Sequence, residues 1–360
     1  MNETEKLENE NISSAEETVN ETAGTEAVEE VSIADSVRAL SPTRLVIKRF
    51  FRSKLSIIGL IMIIGLFLFS FIGPIFSPYQ EGVADYSTDR MNVVTTKMEY
   101  VVDGETYVCY KVEKTPMAVD RKAPVSWEHW LGTDGDGMDV LTQTMYGGRI
   151  SLTISFIVVI LEMLIGVILG GLAGYFGGWV DTLIMRIVDI FSCLPDLPIM
   201  LIIGAVLDGM KIPARDRIYY MMVFITLLGW IGVARLVRGQ ILSLREQEFM
   251  VSATARGLST KRKIFRHLIP NVMPHLIVTM TLGLGGVILM ESTLSYLNLG
   301  VPKPYAAWGS MISAVDKDSS ILQYYFNVWG PPGICIVLAV LGFNFIGDGL
   351  RDAFDPKSRK

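Results

Sequence analysis

The chain has 360 residues, of which 50% are hydrophobic and only 19% are charged, and its mean hydropathy is +0.40. A soluble domain of this size normally carries more charge, so the composition excludes an ordinary soluble protein and favours the bilayer as solvent. Three cysteines (Cys109, Cys193 and Cys335) are too few and too scattered for a disulfide framework. The formal net charge of −5 comes from one end of the chain, where residues 1–36 hold eleven acids and one lysine.

That acidic end, residues 1–40, has too few apolar side chains to offset the entropy lost on ordering. We therefore predict a disordered acidic tail on the cytoplasmic side. It lacks the basic and apolar regions of a signal peptide. Residues 37–360 are net basic, with 31 bases and 26 acids.

Six segments are apolar enough and long enough to cross a bilayer, which takes roughly 20 residues per helix. Backbone groups in hydrocarbon must satisfy one another, so all six are predicted to be helices. They run near residues 55–76, 150–173, 182–207, 218–237, 272–294 and 329–350. The predicted fold class is an all-α polytopic membrane protein with six transmembrane helices.

The orientation of these helices follows from lysine and arginine near their ends. Basic clusters occur at 44–54, before the first span, at 235–266, between the fourth and fifth, and at 351–360. With six spans, all three clusters lie on one side, which places both termini in the cytoplasm. The loop after the third span opposes this with Lys211, Arg215 and Arg217, but three clusters outweigh one.

Residues 77–146 then form an extracytoplasmic loop. Asp103-Gly104 stands between two runs that alternate apolar and polar residues, which predicts a β-hairpin. Further along, "GTDGDGMD" at 132–139 clusters three acids, but Met138 and Met145 occupy positions where a calcium loop needs ligands. We predict a tight turn there and no metal site.

The second span carries a stripe of small residues, with Gly166, Gly170 and Gly174 at four-residue spacing. Such a stripe lets two helix backbones approach closely. Packing within this chain is the favoured interpretation, and contact with a partner subunit is the alternative.

Charged residues inside spans are candidates for function because they are costly there. Glu162 and Glu291 have no partner nearby in sequence, so each could face a translocation pathway or bond a neighbouring helix. Arg186 and Asp189 are three residues apart, so we expect them to pair with each other. Asp196 is a further charged residue inside a predicted span.

Motifs of catalysis and nucleotide binding are absent from the sequence. It contains no GxxxxGK[ST], HExxH, GxSxG or CxxC, and His129, His267 and His275 lack ligand spacing. We therefore predict a non-enzymatic chain with no catalytic residue, no metal and no cofactor of its own.

The longest polar segment between late spans is "EQEFMVSATARGLSTKRKIFRHLIPN", residues 246–271. It predicts two short helices that meet at Gly257, with Ser259 capping the second and Pro270 ending it. Small side chains occupy the first helix, and the second has one apolar and one basic face. A lipid-surface helix is one interpretation, but the small residues favour a protein partner that approaches closely.

The stretch "SATARGLSTKRKIFRHLIPN" resembles the cytoplasmic signature of ABC-importer permeases, in which EAA precedes a glycine and then I-x-L-P. Ser252 and Ala253 fall at its alanine positions, and Gly257 at its glycine. Val251 replaces the usual Glu, and His267 the usual Ile. "HWLGTDGDGMDVLTQTMYGGRISL", "YFGGWVDTLIMRIVDI" and "ESTLSYLNLGVPKPYAAWGSMI" resemble the second permease of dipeptide and oligopeptide importers, with Met138 in place of an Arg.

The resemblance implies a type I importer-permease fold and a function in peptide uptake across a bacterial or archaeal cell membrane. It implies four kinds of partner: a second homologous permease, two ATPase subunits that bind ATP and magnesium, an extracytoplasmic substrate-binding lipoprotein, and the lipid bilayer. Residues 246–270, the coupling segment, would dock on an ATPase. The residues expected to couple are Val251, Ser252, Ala253, Gly257, Leu258, Ser259, Lys261, Phe265 and Pro270.

The expected organisation is a tail at 1–40, a first span within 41–76, a loop at 77–146, a permease domain at 147–350 and a cytoplasmic end at 351–360. Relatives with these motifs also carry nickel complexes or other small solutes, so the cargo stays open. A secondary transporter would show an inverted repeat, and an intramembrane hydrolase would need a nucleophile and base within the spans. Neither feature is present.

Overall fold

The computed structural model describes residues 42–85, 91–102, 105–116, 119 and 121–355. The predicted tail at 1–40 lies outside the described residues, as does the Asp103-Gly104 turn. The chain divides into two compact units, Met1–Arg49 and Phe50–Lys360. Helix α1, Pro42–Arg52, begins in the first unit, and every later element belongs to the second.

The described part of the second unit contains five helices that are long and apolar enough to span a membrane, or six spans if one bent pair is counted. The fold class predicted from the sequence is therefore confirmed. The spans are α2 (Lys54–Phe76), α3 (Val140–Phe176), the bent pair α4 (Gly178–Ser192) and α5 (Asp196–Gly209), α6 (Ala214–Arg245), α8 (Thr260–Tyr296) and α12 (Phe326–Phe354). Shorter helices are α7 (Glu248–Ala255), α9 (Trp308–Ile312), α10 (Ala314–Lys317) and α11 (Ser319–Tyr324).

The third predicted span is not one helix. Helices α4 and α5 meet at an angle of 78°. Pro195 stands immediately before α5 with an extended backbone, and it has no N–H with which to continue α4. Asp196 is consequently an exposed residue in the first turn of α5, where a carboxylate complements the helix dipole. It lies at the bend between the two helices and not inside one continuous helix, as the sequence suggested.

Several spans are longer than their apolar cores. Helix α3 begins at Val140, ten residues before the predicted start, because the Asp139 carboxylate caps it by accepting the Thr142 N–H at 2.8 Å. The last seven residues of the predicted external loop are thus helical.

Two spans contain a π-helical turn, and both turns lie just before a proline. Leu68–Ile72 precedes Pro74 in α2, and Lys263–Leu268 precedes Pro270 in α8. Proline has no N–H to donate and its ring crowds the carbonyl four residues back, so a wider turn accommodates it. The prediction that Pro270 ends a helix is therefore wrong, because the helix continues to Tyr296.

The predicted β-hairpin is confirmed. Strands β1 (Met91–Val102) and β2 (Glu105–Pro116) pair antiparallel, from Met91 opposite Pro116 to Val102 opposite Glu105. Their described side chains, at 95–99 and 108–113, are exposed apart from the half-buried Met98. The hairpin is a two-stranded projection from the helical body.

The main core lies among the spans and includes Leu152, Val158, Ile288, Leu294 and Trp308, all essentially inaccessible to solvent. It joins α3 and α8 to the start of α9. Helix α2 packs on α12, where a Cβ at Gly59 would lie 2.8 Å from the Gly342 carbonyl oxygen. A second, smaller core forms where α6, α7 and the start of α8 meet.

Candidate coupling site

The coupling segment is a helix, a tight turn and the start of a span. Helix α7 ends in a Schellman motif: the Leu258 N–H bonds the Ala253 carbonyl at 3.2 Å, and the Gly257 N–H bonds that of Thr254 at 3.0 Å. Gly257 has a φ of +66°, which a residue with a Cβ adopts only at a cost. The bend predicted at Gly257 is therefore present.

The inner side of the segment is anchored in the smaller core. Met250, Ala253 and Leu268 are 3%, 0% and 0% exposed. Met250 and Leu268 belong to the same cluster as residues of α6 (Val237, Ile241) and α8 (Val272, Leu276). The methyl of Ala253 thus faces this chain itself and cannot give a partner the close approach suggested by the sequence.

The outer side of the segment carries both apolar and basic groups. Val251 and Phe265 are 61% and 64% exposed, and Leu258 is half-buried. Phe265 therefore does not share the inward face with Ile264 and Leu268. Four exposed bases accompany these residues, and none of them forms an ion pair among the described residues: Arg256, Lys261, Arg262 and Arg266.

Other predicted members of the segment have modest local roles. Ser259 occupies the N-cap position of α8, but its side chain makes no capping hydrogen bond. Ser252 and Pro270 are exposed. The Lys263 ammonium links the two helices, because it donates to the Thr254 hydroxyl at 3.3 Å.

Two basic side chains, Arg245 and Lys263, connect the segment to the turn between α3 and α4. The Arg245 guanidinium donates to the carbonyls of Gly174 and Tyr175 at 3.3 and 3.4 Å, two of the acceptors left free at the end of α3. The Lys263 ammonium lies 5.9 Å from the centre of the Tyr175 ring. These contacts could not be predicted from the sequence, since no local spacing signals contacts about 70 residues apart.

The glycine stripe of α3 packs inside this chain. A Cβ at Gly170 would lie 2.3 Å from the Ala234 carbonyl oxygen, and Cβ atoms at Gly166 and Gly174 would meet α6 at 2.5 and 2.9 Å. Close approach of α3 and α6, the favoured interpretation, accounts for all three glycines. Beside them, Arg238 binds Asp181 through two hydrogen bonds and fastens α6 to α4.

The two intramembrane glutamates have different surroundings. Glu291 is 3% exposed and accepts hydrogen bonds from the Ser151 and Ser295 hydroxyls at 2.8 and 2.7 Å, so it bonds a neighbouring helix. Glu162 is 9% exposed and lies against Gly229 of α6. No donor among the described residues bonds its carboxylate.

The predicted pair of Arg186 and Asp189 is wrong. Asp189 instead bonds Arg235 of α6 at 3.2 Å, because α6 brings that guanidinium beside α4. Within the described residues, no three His, Cys, Asp or Glu side chains are grouped to hold a metal ion. The turn at 132–139 is closed instead by the Asp134 carboxylate, which accepts the Asp136 and Met138 N–H groups at 2.9 Å each.

Together, the bundle of long apolar helices and its anchored polar segment define a polytopic membrane protein of the permease class. Residues 166–360 match the family model for the inner membrane component of binding-protein-dependent transport systems, and residues 41–92 match the N-terminal transmembrane domain of oligopeptide transport permease C. The chain belongs to this permease family.

Its relatives include two permeases of Bacillus subtilis. An oligopeptide transport system permease protein is 37% identical over 90% of this chain and 93% of its own length. A dipeptide transport system permease protein is 37% identical over 91% of this chain and 90% of its own. A putative peptide permease protein of Brucella suis is 40% identical over 69% of this chain and 80% of its own.

Proposed function

We propose that this chain is the membrane-spanning permease subunit of an ATP-driven importer that takes up peptides delivered by an extracytoplasmic binding protein. The observation that carries the proposal is the similarity, over nine-tenths of the chain, to relatives whose names specify oligopeptide and dipeptide transport. The two names differ in peptide length but agree on the class of cargo. The chain itself is non-catalytic, and separate ATPase subunits bind ATP with magnesium and hydrolyse it.

In this proposal the exposed side of the coupling segment docks on an ATPase. Val251 and Phe265 supply apolar contact, and the four exposed bases, which form no ion pair within the described ranges, attract acidic groups on the partner. Val251 stands at the usual Glu position, so the contact there is apolar. Gly257 and Leu258 form the tip of the turn.

The anchoring of the segment suggests how a movement would reach the pathway. Met250 and Leu268 join it to α6 and α8, and Arg245 joins it to the end of α3. Closure of the ATPases would therefore displace three spans together. Glu162 of α3 faces α6, and no donor in the described part of the chain bonds its carboxylate, so it is our candidate for the translocation pathway; Glu291 has a packing role.

The remaining partners follow from the same proposal. A second homologous permease completes the pathway, both termini face the cytoplasm, and the hairpin side faces outward. The hairpin is a candidate docking surface for the binding protein. Its β2 strand presents exposed Val108, Tyr110 and Val112 on one face, beside the ion pair of Lys97 and Glu99.

The cargo class is tested by purifying the complex with its binding protein and identifying the bound molecule by mass spectrometry. Peptides are the expected result. A nickel complex or another small solute, the alternative cargo, would refute peptide transport and leave the importer architecture standing. Recovery of the chain with no ATPase would favour a secondary transporter.

The ATPase contact is tested by cross-linking from cysteines placed at Val251 and Leu258. The exposed Cys109 and Cys193 are first replaced by Ser, while the buried Cys335 is kept. A bifunctional reagent should join either new cysteine to an ATPase subunit. Tyr324→Cys, at a position that is 76% exposed but near the hairpin side, is the control and should give no such product. Equal products from all three positions would contradict the docking model.

A further inference from the structure

A short segment before α3 presents large apolar side chains to the surroundings. In residues 123–131, Val125, Trp127 and Trp130 are 62%, 95% and 65% exposed. A tryptophan this exposed in water is unfavourable, because aromatic side chains have large apolar surfaces that are stabilised by burial. The segment therefore has the chemistry of a contact surface.

The backbone of this segment is held firmly, so the exposure of its tryptophans is built into the fold. The Ser126 N–H bonds the His129 carbonyl at 2.8 Å, and the His129 N–H bonds the Ser126 hydroxyl at 3.0 Å, which places Trp127 at the tip of a tight turn. The buried His129 ring lies between two carboxylates, with Nδ1 2.9 Å from Asp139 and Nε2 3.0 Å from Asp85. The Asn327 amide bonds the Leu131 carbonyl at 2.7 Å.

The turn is fastened beside the end of the first span. The Tyr79 hydroxyl donates to the Glu128 carbonyl at 3.0 Å, and its ring stacks on His129 with centroids 4.7 Å apart. Tyr79 is only three residues beyond Phe76, where α2 ends, which limits the intervening chain to roughly 10 Å. Ile75 and Phe76 are themselves 75% and 81% exposed, so the apolar surface of the span continues onto the turn.

We propose that this turn is a membrane anchor whose Trp127 and Trp130 insert into the interfacial layer of the leaflet on the hairpin side. Three observations favour lipid over a protein partner: the surface continues that of a span, it begins at the span's end, and tryptophan is the residue enriched at bilayer interfaces. Val125 reaches the same layer. The anchor fixes the start of α3 and the base of the hairpin relative to the bilayer.

The test is fluorescence quenching in nanodiscs of phosphatidylcholine with bromine on acyl carbons 6 and 7. The chain has six tryptophans, so replacing two by phenylalanine (Trp127→Phe with Trp130→Phe) should remove about a third of the emission. If Trp127 and Trp130 lie in the interfacial layer, bromine quenches their emission in the wild type. The double variant lacks this emission, so bromine should quench a smaller fraction of its total fluorescence. Trp308→Phe, at a fully buried position, is the matched control and should leave or raise that fraction.

Aqueous iodide and added binding protein separate lipid from other surroundings. If the tryptophans lie in lipid, iodide quenches the wild type and the double variant to nearly the same extent. Strong iodide quenching that disappears in the double variant would overturn the proposal, as would shielding of that signal by the binding protein. Because Trp127 and Trp130 are exposed, the double variant should fold. Circular dichroism checks the fold of this variant and of Trp308→Phe, whose altered side chain is buried. The bromine and iodide measurements need no ATPase, cargo or binding protein, so their outcome is independent of the proposed function.

Discussion

The coupling segment and the β-hairpin are both polar insertions of about 25 residues between apolar helices, yet they are built in opposite ways. The coupling segment places Met250 and Leu268 in a core shared with two spans, while the described side chains of the hairpin strands are almost all exposed. An element that shares a core moves with it, because packed interiors transmit strain. The hairpin is held mainly by the hydrogen bonds between its own two strands, so it can be altered without disturbing the helical bundle.

The largest expected effect is a difference in stability between variants on the buried and the exposed side of the coupling segment. Leu268→Ala should lower the free energy of unfolding by about 3 kcal/mol, because it opens a cavity between α6 and α8. Phe265→Ala, at an exposed position in the same helical turn, should change stability by less than about 0.5 kcal/mol. Thermal unfolding of both purified variants in detergent measures the difference. Equal melting temperatures would mean that the segment is not anchored as described.

A smaller loss is expected from the helix contact behind the segment. Gly170→Ala would place a methyl 2.3 Å from the Ala234 carbonyl oxygen, and the shift of α3 away from α6 should cost about 2 kcal/mol. Gly171→Ala is the matched control, since its methyl meets only the Ile241 Cδ1 atom at 3.8 Å. Melting curves of the pair should differ by several degrees, and a Gly170→Ala variant as stable as its neighbour would argue against close packing.

The sequence predicted the apolar cores of the spans because hydrophobicity alone determines them. It did not predict helix ends such as Val140, where a polar cap and polar first turn extend the helix beyond the apolar run. At two prolines the predicted helix boundaries were wrong in opposite directions. Pro195 breaks a span that hydropathy joined, whereas Pro270 fails to end a helix because a π-helical turn precedes it.

The candidate site was predictable in location and less so in orientation. The turn at Gly257 followed from one glycine between two helical patterns, and the φ of +66° agrees with it. Whether Ala253 faced inward or outward depended on α6 and α8, which no local pattern reports. The Arg245 contacts with Gly174 and Tyr175 depend likewise on tertiary structure.

Removing the hairpin tests the other half of the comparison. Replacing residues 94–113 by Asn-Gly joins Val93 to Lys114, which are opposite each other in the ladder, through a two-residue turn. We expect the melting temperature to change by no more than about 2 °C, because few buried contacts are lost. Binding-protein affinity should fall, as measured by surface plasmon resonance on the nanodisc complex. Unchanged affinity and unchanged peptide uptake would refute the hairpin as a docking surface.

The smallest expected effect concerns an ion pair on the hairpin side of the bundle. The Lys122 ammonium bonds the Asp318 carboxylate, which also accepts the Ser320 N–H at 2.9 Å, and thereby links the segment before α3 to α11. The bond from Lys122, aided by Ser320, lowers the pKa of Asp318 to about 2 from an ordinary value of 3.8. A pKa lower in the folded state means that the ionised carboxylate stabilises the fold.

That stabilisation is complete above about pH 4, and it is lost as the pH falls towards 2 and the carboxylate takes up a proton. Asp318→Asn should therefore melt slightly below the wild type at pH 6, and the two curves should converge near pH 2. The difference should also shrink in 1 M salt, because the pair is solvent-accessible. Asp352→Asn, at an exposed acid on α12, is the control and should melt with the wild type at pH 6. A gap that widened on acidification would reverse the sign and exclude the pair as a stabilising contact.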